Sequence, residues 1–222
     1  MLNVRHADSA ERTRRNDLVA ATQELVAEGG PQAATVRAIA ARAGVTPGLI
    51  RHYFGSKDAL LHAAYTDLME AMTARSAEAE AGVSAEPGER LAVFVAAALR
   101  PPVVDSMAVG LWAGFLNRAR VDAGLMAQHR AGYLRYRDHL EGLVAALVPG
   151  REPARLRREA IACNAIIDGL WLEGSLLPDD FTRGELVRIA LRSIGAIIDR
   201  DLMQYATFVP ELAWENKEGE GP

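Results

Sequence analysis

The chain has 222 residues, 50% hydrophobic and 24% charged, with a net charge of −4. That is enough for one or two domains with a substantial core. The lone cysteine, Cys163, excludes an intramolecular disulfide; the apolar runs are too short to span a membrane; and the polar opening MLNVRHADSAERTRRND has no secretory core, so a cytoplasmic protein without membrane association is expected.

The first helix is predicted over Ala10–Glu28, with Leu18, Ala21, Leu25 and Val26 on its buried stripe and Gly29-Gly30-Pro31 as its stop. Arg12, Arg14 and Arg15 near its start read either as a basic arm for a nucleic-acid backbone or as a solvated helix start. In the next segment Val36, Ile39, Ala40 and Ala43 fall on one apolar helix face, with Thr35 as N-cap and Gly44 as the turn that ends it. Thr46-Pro47 starts another helix, to Tyr53, where proline's missing N–H costs nothing. Leu49, Ile50 and Phe54 supply its buried side.

Three residues separate Ala40 from Gly44, and five separate Gly44 from Ile50. This is the spacing of a helix-turn-helix: a small alanine lets the helices approach, glycine turns the chain, and isoleucine fills the gap. Thr46, Pro47, Gly48, Arg51 and His52 then form a short outer face of mostly modest bulk, suited to a DNA major groove. Lys57 sits in the first turn of the following helix, where an acid is the usual preference, and so suggests a phosphate partner. Tyr53 suggests the same. Thr35 and Arg37 complete the expected phosphate contacts. Residues 1–57 carry eight Lys/Arg against five Asp/Glu, a net of +3, and the remainder carries seventeen against twenty-four, a net of −7. The basic excess therefore lies where DNA would be met.

TVRAIAARAGVTPGLIRHYFGSKDALL resembles the DNA-binding signature of the TetR family of bacterial repressors, and the likeness extends from Asp17 to about Met72. It implies a dimeric repressor with a ligand-binding helical body.

Further helices are predicted over Ser56 to about Glu80, Glu89–Leu99, Val104–Val121, Leu125–Leu147, Pro153–Leu177 and Thr182–Leu202. Nothing alternates with period two over a useful length. The fold expected is all-α with about nine helices: a helix-turn-helix head over residues 10–56, a ligand-binding and dimerisation body over 57–202, and a tail over 203–222. The last two long helices are apolar on more than one side, which suits a two-fold homodimer interface. Such a dimer would place two heads on a near-palindromic double-stranded operator. Tyr205, Phe208, Leu212 and Trp214 suggest that part of the tail packs on the body or a partner, while NKEGEGP reads as disordered.

No nucleophile–base pair is apparent, and His6, His52, His62, His129, His139 and Cys163 are not at metal-ligand spacing. No catalytic residue, metal or cofactor is expected. Trp112 and Phe115 stand one turn apart, as do Tyr133 and Tyr136. Asn164, Asp168 and Trp171 share a helix face. Aromatic walls with one carboxylate suit an organic cation. The same residues also read as core aromatics around an acid that needs a partner, an arginine or tyrosine of the body among the choices. LWAGFLNRARVDAGLMAQHRAGYLRYRDHL and IIDGLWLEGSLL resemble the choline-responsive BetI-like branch of the TetR family. That implies control of glycine betaine synthesis genes, relieved by choline. Two departures stand out: Glu173-Gly174 where a basic residue is common, and Tyr136 where an aliphatic is expected. The competing expectations are a TetR-like regulator of efflux or catabolic genes sensing another, lipophilic ligand, a DNA-binding regulator with no small-molecule ligand, and an enzyme with a vestigial head.

Overall fold

The computed structural model describes residues 2–83, 86–101 and 103–213, with side chains of 11–212 within those spans. Ser84, Ala85, Pro102, the Trp214–Pro222 end of the tail and the side chain of His6 lie outside the described residues. Among the described residues there are helices and no strands. The long helices are α1 Leu2–Gly29, α2 Val36–Arg42, α3 Pro47–Phe54, α4 Lys57–Ala81, α5 Pro87–Ala98, α6 Ser106–Ala119, α7 Ala123–Leu147, α8 Pro153–Leu176 and α9 Glu185–Ile198. A 3-10 turn, Pro178–Asp180, precedes α9, and another, Met203–Phe208, leads into the short α10, Pro210–Ala213. The all-α expectation is met, while α1 begins earlier than the predicted Ala10.

Two compact units divide the chain: residues 1–70 with 107–130, and residues 71–106 with 131–222. Helices α4 and α7 each begin in the first unit and end in the second. In the first unit Leu18, Ala21, Leu25 and Val26 of α1 are buried with Ile39, Ile50, Leu60, Leu61 and Ala64. Ile50 is only 2% exposed, so truncating it to alanine would cost about 2–5 kcal/mol. Val36 departs from its expected inward place and is 38% exposed. Helix α6 joins this core. Phe115 meets Tyr65 at 5.1 Å between ring centroids. A Cβ at Gly114 would approach Val26 to 3.0 Å, so the absence of a side chain sets the closeness of α6 to α1.

In the second unit α5 is buried almost all round, from Leu91 to Leu99, as a helix without a polar face must be. Helices α8 and α9 pack on each other. Ala190, Leu191, Ile194 and Ile198 of α9 face the core. The outer face of α8 is not polar. Ile161, Ala165, Leu172 and Leu176 are all exposed, at a spacing that sets them on one side. The tail packs in part: the Tyr205 hydroxyl donates to Glu86 Oε1 at 3.1 Å, and its ring occupies the place of a Gly88 Cβ. Leu212 is buried, while Phe208 is 47% exposed.

Candidate functional site

The helix-turn-helix is held by local chemistry. The Thr35 hydroxyl accepts from the Ala38 N–H at 3.1 Å, capping α2. Gly44 has φ +63°. The Val45 N–H reaches the Ala40 carbonyl at 2.9 Å and the Gly44 N–H reaches that of Ala41 at 3.3 Å. These paired bonds are a Schellman ending, which favours glycine at the positive φ. Pro47 opens α3 in the expected place, but the Thr46 hydroxyl makes no capping bond and is available to an outside partner. The Ser56 hydroxyl caps α4 through the Ala59 N–H at 3.1 Å.

Long-range contacts then fix the angle of α3. The Arg15 guanidinium lies over the Phe54 ring, 4.5 Å from its centroid. It also donates to the Tyr53 carbonyl at 3.3 Å, near the negative end of α3. Arg15 is therefore committed to the fold, and Arg14 approaches Asp17 at 3.7 Å; neither is an unengaged arm. Arg42 ties α2 to α1 through Glu24 and Glu28 at 2.9 Å each. The Arg42 hydrogen bond holds Glu28 below the usual carboxylate range. Sequence spacing had singled out neither tie.

Of the residues expected at DNA, Thr35, Arg37, Thr46, Pro47, Gly48, Arg51 and His52 are exposed, and Tyr53 and Lys57 are half-buried. All belong to the first unit. Gly48 is informative. Its φ is not positive, and nothing lies within 4 Å of where its Cβ would be. The fold does not require glycine there, and helix propensity opposes it. So small a residue on this exposed face leaves room for a close approach by something outside the protein.

Elsewhere in the first unit, the Asp122 Oδ1 caps α7 by accepting from the Leu125 N–H at 3.0 Å. Its other oxygen meets His62 of α4 at 2.9 Å, and the His62 hydrogen bond lowers the Asp122 pKa. Tyr65 hydrogen-bonds His129.

The second set of expected residues falls in both units. Trp112, half-buried, and Phe115, fully buried, belong to the first. Tyr133, Tyr136, Asn164, Asp168 and Trp171 belong to the second. There, the Tyr133 hydroxyl donates to Asp168 Oδ2 at 2.7 Å. Asn164 Nδ2 donates to the same carboxylate oxygen at 2.8 Å and to the Tyr133 oxygen at 2.7 Å. The acid thus has the tyrosine partner that was one of its expected choices. Burial first, then the bond to Asp168, pushes the Tyr133 phenol up to about 12. The Tyr136 ring lies 5.1 Å from Phe94, and burial raises its pKa strongly. Trp171 is turned to structure, its Nε1–H donating to the Val103 carbonyl at 2.7 Å. An open groove lined by Arg75, Glu78, Arg100 and Glu211 includes none of the expected ligand residues. Among the described residues no group of His, Cys, Asp and Glu is placed to hold a metal, and no helix is long and apolar enough to cross a membrane.

Comparison with known proteins matches two parts of the chain. Residues 18–64 match the family described as bacterial regulatory proteins, tetR family. Residues 87–199 match the C-terminal part of BetI-type transcriptional repressors. The chain is 33% identical to the transcriptional regulator BetI of Stenotrophomonas maltophilia over 180 residues, 81% of this chain and 90% of that one. It is 30% identical to BetI of Burkholderia thailandensis over 177 residues, 80% and 89% of the two chains. A solved Pseudomonas aeruginosa protein described as a transcriptional regulator superposes with a TM-score of 0.78 at 28% identity, over 87% of this chain and 94% of that one. A Saccharomonospora viridis protein, solved in complex with choline, gives a TM-score of 0.65 at 18% identity over 83% and 95%. At that identity it speaks for the fold alone.

Proposed function

Since the chain belongs to the TetR family of bacterial transcriptional regulators, with a BetI-type C-terminal part, it is a DNA-binding repressor, and we propose that it is a homodimer released from a near-palindromic operator by a small organic cation. The DNA reading is carried by the exposed α3 face, above all by a Gly48 that the fold does not need. Arg51 is the base reader, able to contact a guanine with two hydrogen bonds. Thr46, Pro47, Gly48 and His52 lie in the same groove. Thr35, Arg37, Tyr53 and Lys57 hold phosphates, which set register. The protein works in the cytoplasm, where the bacterial chromosome lies.

Dimerisation through α8 and α9 is supported by the exposed stripe of Ile161, Ala165, Leu172 and Leu176, with Ile189 exposed on α9. Left in water, such a stripe is costly; two copies facing each other would form a four-helix seam. Two heads then meet half-sites about one helical turn of DNA apart.

The effector is choline or a related quaternary ammonium or betaine precursor, and the genes controlled are those of glycine betaine synthesis. Its site is centred on Asp168, with Tyr133, Tyr136, Asn164 and Trp171 of the same unit. Ring faces and a carboxylate both attract a cation. Helix α4 carries the signal, and the effector must prefer the released state, since equal affinity for both would shift nothing. The second reading is a different lipophilic ligand, or none. It draws on the protein donors that Asp168 Oδ2 already has.

Selection of bound sequences from a random DNA library tests both halves. An enriched near-palindrome, released by choline but not by unrelated lipophilic cations, is expected. If no sequence is enriched, base reading by α3 is wrong; if an operator emerges that no cation releases, the effector half fails alone.

A further inference from the structure

Buried polar atoms without partners are rare because each one has given up water for nothing. Three gather near Asp168: the Ser76 hydroxyl of α4, the Tyr136 hydroxyl of α7 and Oδ1 of Asn164 on α8. Ser76 is fully buried. A helical serine or threonine ordinarily satisfies its hydroxyl on the carbonyl one turn back. Thr22 does so to Leu18 and Thr66 of α4 to His62, but Ser76 does not. Burial and the Asp168 charge raise the Tyr136 pKa, and a hydrogen-bonding approach by the Ser76 hydroxyl lowers it; the two hydroxyls are thus neighbours, but their geometry falls short of a completed bond and leaves both oxygens without a full partner. Asn164 has its Nδ2 turned to the carboxylate, which settles the amide orientation: an amide oxygen there would face a carboxylate oxygen. Its Oδ1 is left as an acceptor in need of a donor.

The donor and acceptor inventory limits which ligand group could fit there. Ser76 and Tyr136 each have an O–H to give, and Asn164 Oδ1 has a lone pair to offer. One alcohol oxygen accepts two hydrogen bonds and donates one. A bare quaternary ammonium does neither, and a carboxylate cannot donate to Oδ1 and would be repelled by Asp168.

We propose that Ser76, Tyr136 and Asn164 receive the alcohol group of the effector, so that the site selects an organic cation bearing a hydroxyl over the same cation without one. Ser76, absent from the set expected from sequence, is the specificity residue that carries this contact onto α4. The inference rests on the cation reading of Asp168 and adds to it the chemistry of the ligand's other end.

Calorimetric titration of the full-length protein distinguishes the two. The probes are choline, ethyltrimethylammonium, which lacks the hydroxyl, and 3,3-dimethylbutan-1-ol, the neutral alcohol of the same shape. Choline is expected to bind about tenfold or more tighter than ethyltrimethylammonium. In Ser76→Ala and Tyr136→Phe that preference should shrink, and in the double variant fall to about one. Thermal melting reports that the variants are folded, and Tyr136→Phe retains the ring against Phe94. Equal binding of choline and ethyltrimethylammonium by the unaltered protein, or a preference untouched in the double variant, overturns the hydroxyl proposal and leaves the cation reading standing. Dimethylbutanol binding as tightly as choline overturns the cation reading. Failure of all three to bind overturns both.

Discussion

Helix α3 and the Asp168 cluster both present polar side chains at helical spacing, but they stand on opposite sides of the protein–water boundary. On α3, Thr46, Arg51 and His52 are exposed. Water satisfies them, so their lack of protein partners says nothing about a ligand; there the informative residue is Gly48, read through shape. Around Asp168 the Ser76, Tyr136 and Asn164 oxygens are buried away from bulk water, and each unpaired atom asks for an explanation. Exposed sites are therefore argued from form, and buried ones from donor and acceptor accounting.

The largest expected effect breaks the buried side of the comparison. Asp168→Asn preserves shape and leaves an acceptor for Tyr133, but removes the charge. Choline affinity measured by calorimetry should fall by about 2–5 kcal/mol, while operator affinity measured without choline stays the same. On the exposed side, Arg51→Ala should cost about 1–3 kcal/mol on the selected operator and relax preference at one base pair. Equal losses on operator and random DNA would contradict base reading. Gly48→Ala sharpens the contrast further. It should raise stability by about 1 kcal/mol, seen as a higher melting temperature, while weakening operator binding; a variant that gains stability at no cost in binding would remove the shape argument. Lys57→Ala should weaken binding on all sequences and reduce the salt dependence of affinity by about one unit of slope.

The smallest effect concerns the support of the head. Arg42 holds the exposed Glu28 below its ordinary pKa, so the folded protein retains this carboxylate more strongly than the unfolded chain does. The stability so gained is present above the unfolded value of about 4.3 and is lost as pH falls through the lowered folded value. Arg42→Ala should flatten the acid limb of melting temperature against pH between about 5 and 3.

Local features were legible. Thr35 caps, Gly44 turns and Pro47 starts a helix, each acting on backbone within a few residues of itself. The stripe on α1 was legible for the same reason, since period and burial coincide there. On α8 they part: Ile161 and Leu172 lie exposed, while the polar Asn164 is buried at 2% exposure. Hydrophobic pattern marks a surface that avoids water and does not say which partner covers it.

By itself the sequence determined the all-α class, the helix-turn-helix, and the presence of an acid amid apolar helix surface, because caps, turns and periodicity are short-range. Tertiary structure alone decided that Arg15 is held on Phe54, that Tyr133 and Asn164 share one oxygen of Asp168, and that Ser76 of α4 lies beside Tyr136 of α7. Asn164 and Asp168 aside, which are one turn apart on α8, those pairs join residues tens of positions apart in the chain. Whether two distant polar groups meet depends on how whole helices pack, and so does the cost of leaving one of them unpaired.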